Sequence, residues 1–421
     1  MKSKILLLSI LFISFISQAQ NNARLKVFID CSNSWCDMTY LRSEINLIDF
    51  LNDNQAADVH VLITEQSTGG GGSQHQLIFF GQNNYKNLHD TLRYNTSSTS
   101  TDFERRQELI RYIKLGLAPY IARTSAAKDV LIEFKKAESK GDTKEPRAEP
   151  TKDPWNYWVF RLNGSGNISL DENYKDFRYY SNFNANRTTE ETKLAFEVYG
   201  STNKSSFEYE SSPGVIDQFT VKNHEIGFSH YLIKSINSHW SWGYEVDFNQ
   251  STFSNNKGRI SWRGGIEYDI FPYKDVSTKL ITISYSLDVK RNRYYDTTFF
   301  EKTKETLWGH RADANLTFNQ KWGSAYVGIS YHNYFKDWKY FNLGINLSTD
   351  IRITGGLSFN MYAFGGLTHD QLFLPKGGAT PQEVLTRQRQ LASGYNFYTG
   401  FGLTYRFGSK VNNFVNPRFE N

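Results

Sequence analysis

Apart from its first 19 residues, the chain has no long hydrophobic run, and its mean hydropathy is −0.56. A helix that crosses a bilayer needs about 20 consecutive apolar residues, so the sequence excludes a bundle of transmembrane helices. A strand of a transmembrane β-barrel needs only every second residue to be apolar, and its average hydropathy can therefore be low. The lack of apolar runs thus excludes one kind of membrane protein and leaves the other open.

Cysteine is scarce, and charge of one sign does not dominate. The two cysteines, Cys31 and Cys36, have no nearby histidine and fall short of the four ligands of a structural zinc site, so we predict no metal and no other cofactor. In an oxidising compartment they could form a disulfide, and the alternative is two small buried residues. The net charge is +5 with both signs dispersed, and the lack of a basic stripe gives no case for nucleic-acid binding.

Aromatic residues, in contrast, are abundant at 16% of the chain. Outer-membrane barrels carry girdles of aromatic side chains at both membrane interfaces, which requires such an excess. A soluble all-β protein can also be rich in aromatic residues, so this composition supports a barrel only together with other evidence.

Residues 1–19 read as a secretory signal peptide. Lys2 and Lys4 form a positive start, an apolar stretch follows, and Ser17 and Ala19 place small residues at the cleavage site. No cysteine follows directly, which argues against a lipoprotein. The segment predicts export from the cytoplasm.

Residues 20–135 predict a small α+β domain of order β-α-β-β-α-β. Leu25–Ile29 reads as a strand, and Asp30–Ser34 can cap a helix that carries Leu41, Ile45, Ile48 and Leu51 at helical spacing. Thr101 and Glu104 form a capping box for a second helix that reaches about Ala122. The other predicted strands are Val59–Ile63, Leu77–Phe80 and Val130–Phe134.

Two features of this domain invite a chemical interpretation. The run Gly69–Gly72 could suggest phosphate binding, but it joins two strands and lacks the Gly-Lys-Ser/Thr ending, so a hairpin loop is favoured. Asp30 and Asp37 could be paired carboxylates, but acidic residues at helix N-termini are common and capping is favoured.

The rest of the sequence, residues 136–421, predicts an exposed linker, a barrel and a tail. Residues 136–154 are charged and almost devoid of apolar side chains, which indicates a disordered linker. Residues 155–409 contain about twelve segments in which apolar and polar residues alternate, and residues 410–421 form a C-terminal tail. The fold class predicted is mainly β: an antiparallel transmembrane β-barrel of about 12 strands preceded by a small α+β periplasmic domain.

The alternation is clearest where Trp240, Trp242 and Phe248 oppose Glu245 and Asp247. Bacterial barrels have short periplasmic turns and longer outer loops. The segments joining the predicted strands fit this rule, since Gln320–Gly323 and four other even-numbered connections are short. The odd-numbered connections predicted to be long are Ser205–Phe219, Arg291–Glu305 and His369–Tyr395.

The inward rows of the predicted barrel carry mixed charges. The candidate lumen-lining residues are Arg161, Arg178, Glu245, Asp247, Arg259, Arg263, Glu267, Asp269, Asp288, Arg311, Asp313 and Arg406. One interpretation is a salt-bridged, hydrated interior that fills a barrel of medium size. The other is a solute pathway in which rings of charge set selectivity.

Near the end of the chain, Gly402, Tyr405 and Phe407 have the glycine–aromatic–aromatic spacing of a last barrel strand. In this and in the alternating segments the chain resembles Gram-negative outer-membrane barrels, especially the Bacteroidota type with an N-terminal periplasmic domain. The resemblance implies a location in the outer membrane and recognition of these three residues by the barrel assembly machinery. The tail after Phe407 departs from it, because the signal usually ends the chain.

Three functions remain open at this point. The first is a non-enzymatic envelope scaffold or assembly component that binds an unknown periplasmic protein or the cell wall. The second is a narrow, porin-like passive channel for small polar solutes. The third is a lipid-modifying barrel enzyme using His230 or His310, which lie on outward rows, but no Gly-x-Ser-x-Gly elbow accompanies them and we predict no enzyme.

Overall fold

The computed structural model describes residues 24–130, 153–272, 276–354, 356–377, 393–411, 413 and 418. The predicted signal peptide, most of the linker and tail, and the predicted strand Val130–Phe134 beyond its first residue lie outside this range. Within it, no helix is both long enough and apolar enough to cross a membrane.

The N-terminal domain is a five-stranded sheet with two α-helices. Its elements are β1 Leu25–Asn33, α1 Met38–Glu44, β2 Ile48–Phe50, β3 Val59–Ser67, β4 Ser73–Gly81, β5 His89–Thr96 and α2 Asp102–Ile121. The strand order is β2-β1-β3-β4-β5, and β1 is parallel to both of its neighbours. Helix α2 packs on the sheet through side chains such as Ile113 and Leu117, which are buried against Val61 and Phe79.

The first helix is shorter than the sequence predicts. It ends at Glu44, and Ile48 lies in β2, where it pairs with Leu25. The three-residue strand supplies two buried side chains, Ile48 and Phe50, whose spacing fits a strand as well as a helix. Strand β5 was not predicted, because its exposed edge position leaves little apolar alternation.

The predicted caps are partly confirmed. Thr101 and Glu104 form both hydrogen bonds of the capping box, and Asp37 caps α1 by accepting from the Tyr40 amide at 2.9 Å. Asp30 is not a cap: it lies within β1 and is buried. The four glycines form the β3–β4 hairpin loop, as predicted, with Gly71 at φ +76°.

Twelve antiparallel strands follow, in the number predicted. They are β6 Trp158–Leu170, β7 Tyr174–Thr188, β8 Thr192–Ser212, β9 Val215–Ser235, β10 Trp240–Ser251, β11 Asn256–Asp269, β12 Lys279–Tyr294, β13 Lys304–Gln320, β14 Gly323–Tyr334, β15 Phe341–Arg352, β16 Leu357–Thr368 and β17 Tyr395–Tyr405. Each pairs with its neighbours in sequence, so the sheet is an uninterrupted meander.

We call the two ends of this sheet the turn end and the loop end. The turn end holds the connections β7–β8, β9–β10, β11–β12, β13–β14 and β15–β16, and the loop end holds the other connections between neighbouring strands. The predicted long connection Ser205–Phe219 at the loop end is wrong. Strands β8 and β9 continue through it and are joined by residues 213–214 alone. Alternation persists there, with Ser205 buried, so the polar composition taken for a loop belongs to extended strands. The predicted long connection Arg291–Glu305 is also shorter, since β12 and β13 reduce it to residues 295–303, as many residues as the turn-end connection 270–278. Loop length therefore differs between the ends mainly at β16–β17.

The sheet is curled. A flat sheet of twelve strands would hold its outer strands about 53 Å apart, since neighbouring strands are about 4.8 Å apart. The N-terminal domain, with an expected radius of gyration of about 13 Å, nevertheless contacts both sides. Gly71 lies so close to the Arg161 guanidinium of β6 that a Cβ on this glycine would clash with it. On the other side, Asp53 pairs with Lys410, which follows β17. The two outer strands are thus brought together at the turn end, as in a barrel.

The first and last strands do not share a ladder. Among the described residues, β6 pairs only with β7 and β17 only with β16. Outward side chains on both strands are highly exposed, including Leu162 and Phe401. The barrel therefore has a seam between β6 and β17.

Candidate functional site

The register of the ladders places the charged residues on one face of the sheet and the large apolar residues on the other. Glu245 pairs with Arg263, and Arg263 in turn pairs with Asp288. The opposite row carries Trp242 and Trp262, which are exposed on the outer surface. All twelve residues predicted to line the lumen lie on the polar face or, for Arg406, directly beyond its last strand.

At mid-height this face holds ion pairs rather than an open ring of one charge. Arg263 pairs with Glu245, and Arg311 donates to Asp313 on the same strand at 2.9 Å. Ser261 donates to Asp247 at 3.3 Å. A cavity of about 450 Å³ is lined by both of these ion pairs, Glu245 with Arg263 and Arg311 with Asp313, and by Glu267. The wall of this cavity therefore carries three carboxylates against two guanidinium groups.

At the loop end, a histidine between two carboxylates joins the barrel wall to a loop. His332 lies 3.0 Å from Asp288 and 3.7 Å from Asp370, and Lys290 lies 3.5 Å from Asp288. Asp370 belongs to the segment after β16. Burial opposes its ionisation, but hydrogen bonds with His332 and Asn342 hold the pKa of this carboxyl below its usual range.

The segment after β16 continues across the loop end. Phe299 donates its backbone N–H to Leu374 at 2.9 Å, and Asn255 donates to the carbonyl of Phe373 at 3.0 Å. Leu372 and Leu374 are buried. The part of the β16–β17 connection that the structure describes therefore lies on the barrel and covers part of its mouth.

At the turn end, the N-terminal domain is held by a buried ion pair. Both terminal nitrogens of Arg352 contact the carboxylate of Asp30, at 2.5 and 2.6 Å, and Asp30 is 1% exposed. His60 Nε2 lies 3.1 Å from the same carboxylate. Burial lowers the pKa of His60, so the neutral ring donates its N–H to Asp30.

Further contacts spread around the rim of the turn end. Ser277 donates to Gln76 at 2.8 Å, and Lys321 stands 3.9 Å over the ring of Phe80. Gly69 lies so close to Thr188 that a Cβ on this glycine would clash with the threonine side chain. These contacts come from three different turn-end connections and strands, so the domain sits across the mouth rather than at one side of it.

The C-terminal tail is part of this contact. Val411 forms a bridge with Leu51, and Lys410 Nζ lies 2.8 Å from Asp53. Asn413 donates to Asp49 at 2.8 Å and accepts from the amide of Phe50 at 2.7 Å. The described part of the tail thus covers the β2 edge of the domain sheet.

The remaining predicted site residues are placed as follows. Arg178 pairs with Asp176 near the loop end at 2.7 Å, and Arg161 lies beside the β3–β4 hairpin. Gly402 faces Asn360 on the inner side, while Tyr405 and Phe407 stack on the outer side. Cys31 and Cys36 are disulfide-bonded, and the loop they close exposes Trp35.

The two outward histidines have no serine partner among the hydrogen bonds of the described residues. His230 contacts the carbonyl of Ala195 at 2.9 Å and the hydroxyl of Tyr244 at 3.2 Å. His310 stacks on Phe335, with both ring nitrogens buried and unpaired within the described chain. This geometry offers no Ser–His pair for acyl transfer.

The sequence did not reveal Asp30, Arg352, His332 or Asp370 as site residues. Asp30 follows the apolar run within β1, and Arg352 ends a barrel strand 322 positions later. A buried acidic residue must be paired, so the position of Asp30 inside a short buried strand is the one local signal that it needs a partner.

Comparison with known proteins adds little to this description. No protein-family model matches the sequence, and no curated protein matches it. Similar solved structures include the NanC porin at 12% identity and a TM-score of 0.26, which covers 58% of this chain and 99% of that chain. A bacterial polysaccharide outer membrane secretin has 11% identity and a TM-score of 0.28 over 60% of this chain and 91% of that one.

The translocator domain of autotransporter NalP from Neisseria meningitidis has 11% identity and a TM-score of 0.23, over 59% of this chain and 88% of that chain. With TM-scores below 0.5, none of these similarities bears on what the chain does.

Proposed function

We propose that the chain is an outer-membrane β-barrel with its turn end in the periplasm, and that it serves as a non-enzymatic scaffold or assembly component of the cell envelope. The observation that carries this proposal is the N-terminal domain seated across the turn end through Asp30 and Arg352. A domain held in this way closes the barrel mouth. An open passive pore has no use for such closure.

The outer face supports the membrane location. Large apolar side chains that alternate with buried polar ones are exposed on strand after strand, as with Trp240, Trp242 and Phe248 on β10. In water this much exposed apolar surface would promote association, whereas in lipid it is solvated.

The partner is expected at the β5 edge of the domain sheet, which no other strand of the described residues covers. The tail covers the β2 edge, but among the described residues β5 has a ladder on one side only, to β4. Its open edge can take an extended segment of another envelope protein by strand addition.

Incorporation of a photo-crosslinking residue at exposed Thr91 of β5 is expected to give a discrete protein adduct in cells. The same residue at Lys114 on α2 is the control, and equal labelling at both sites would contradict this surface.

A narrow channel is the second candidate, and the cavity of about 450 Å³ beside Glu245, Arg263 and Arg311 favours it. Planar-bilayer recording separates the two. The scaffold proposal predicts no stable conductance steps from the purified full chain. Arg352→Gln, which frees the domain, is expected to raise the frequency of openings, and Arg111→Gln at an exposed position on α2 is the matched control. Stable steps from the unaltered protein would favour the channel.

A further inference from the structure

The contact between the domain and the barrel is not completely packed. A cavity of about 600 Å³ remains between them, a volume typical of small-molecule sites. The domain contributes Phe28, Met38, Arg42, Asn52 and Asn54 to its wall. The barrel contributes Asp350, Arg352, Ser358, Thr404 and Arg406.

The charges on this wall do not cancel. Asp30 and Arg352 neutralise each other in the ion pair described above. This leaves two guanidinium groups, Arg42 and Arg406, against one carboxylate, Asp350. The wall of the cavity is therefore net positive.

Arg42 is the most unusual of these groups. Its Nε is buried and has no hydrogen-bond partner among the described residues. Burial without a compensating carboxylate lowers the pKa of Arg42. A buried guanidinium N–H with no acceptor is costly, and an anion in the cavity that Arg42 lines would offset this cost by pairing with the charge of the group.

Arg406 lines the same cavity from the barrel side. Its backbone N–H is held by Gly356 at 2.7 Å, which fixes the chain there, while its guanidinium makes no hydrogen bond or ion pair with the described residues. Thr404 and Ser358 add hydroxyl groups to the same wall, and Asn52 and Asn54 add carboxamides. The cavity thus presents two guanidinium forks and several neutral donors.

We propose that this cavity binds a small anionic solute through a carboxylate or phosphate group held between Arg42 of the domain and Arg406 of the barrel. Guanidinium groups bind both kinds of anion through paired hydrogen bonds. Because the two arginines belong to different parts of the chain, the bound anion bridges them and stabilises the closed mouth. The site rests on the seated domain of the proposed function.

The test is calorimetric titration of the full chain in detergent with inorganic phosphate, and separately with acetate, at constant ionic strength maintained by chloride. Binding of either is expected. Arg42→Gln and Arg406→Gln are each expected to weaken it at least about tenfold, the scale of one lost charge-assisted hydrogen bond. Arg111→Gln, an exposed change on α2, is the control. Asp350→Asn is expected to strengthen binding several-fold, because it removes the opposing charge.

No heat from the unaltered protein, or unchanged affinity in both arginine variants, would overturn the proposal. Limited proteolysis of the same samples without added anion distinguishes this from failure of the proposed function. If the domain is seated, it is protected, and a missing anion site removes only the heat of binding. If Arg42→Gln does not fold, the variants of exposed Arg406 and half-buried Asp350 still decide the result.

Discussion

At the scale of single residues, Asp30 is the side chain on which the arrangement most depends. It is almost completely buried, and its carboxylate is shared by Arg352 and His60. A buried ion pair adds little stability compared with apolar packing, but removal of one partner leaves an uncompensated charge. The pair therefore specifies how the domain sits on the barrel.

A double-mutant cycle measures this coupling. Arg352→Met alone is expected to destabilise the domain by about 3 kcal/mol, the cost of breaking a buried pair. Asp30→Asn with Arg352→Met is expected to cost less than the sum of the two single changes. Chemical denaturation followed by domain tryptophan fluorescence provides the free energies, and strict additivity would show that the two residues do not interact.

The buried histidines make the stability of the domain depend on pH. Burial lowers the pKa values of His60 and His75, so the folded domain binds fewer protons than the unfolded chain. Stability contributed by the neutral rings is complete above about pH 6.5 and falls as the pH drops below this ordinary value. Urea denaturation at pH 7.5 and pH 5.5 checks this. His60→Asn should reduce the difference, whereas His89→Asn, an exposed position, should not.

At the scale of elements, local signals decided which features the sequence predicted. The capping box of Thr101 and Glu104 is contained within four residues, and the helix it opens was predicted nearly to its last turn. The barrel strands were predicted from a two-residue period that is repeated over each strand. Ile48 was assigned to a helix because a three-residue strand has too few positions to show a period. Asp370 was missed because its partner His332 lies on another element.

The cap provides a test at this scale. Thr101→Ala removes the side-chain acceptor for the Glu104 amide and is expected to cost about 1 kcal/mol of domain stability. Ser98→Ala, at an exposed position just before the cap, is the matched control and should change stability by less than about 0.5 kcal/mol. Equal effects of the two changes would contradict the role of the cap.

The seam provides another test. Because β6 and β17 each have a ladder on one side only among the described residues, their amides are expected to exchange with deuterium faster than those of β12, which is paired on both sides. Hydrogen-exchange mass spectrometry of the full chain in lipid nanodiscs makes the comparison. Protection of Trp158–Leu170 equal to that of Lys279–Tyr294 would mean that the seam is closed by a ladder.

At the scale of the whole molecule, the barrel is covered at both ends. The domain and tail lie across the turn end, and the segment containing Leu372 and Leu374 lies on the loop end. The sequence predicted the domain and the barrel as separate units joined by a linker. It did not predict their contact, because pairs such as Gln76 with Ser277 join positions that are 201 residues apart and have no common periodicity.

The proposed membrane location requires that lipid solvates the apolar face of the sheet while the polar face is enclosed. Spin labels placed singly along β10 of the protein in liposomes test it most directly, at outward Trp242 and Phe248 and at inward Ser241 and Asp247. We expect oxygen dissolved in lipid to relax the outward labels strongly and the inward labels weakly, so that relaxation alternates along the strand. Equal oxygen accessibility at the four positions would contradict it.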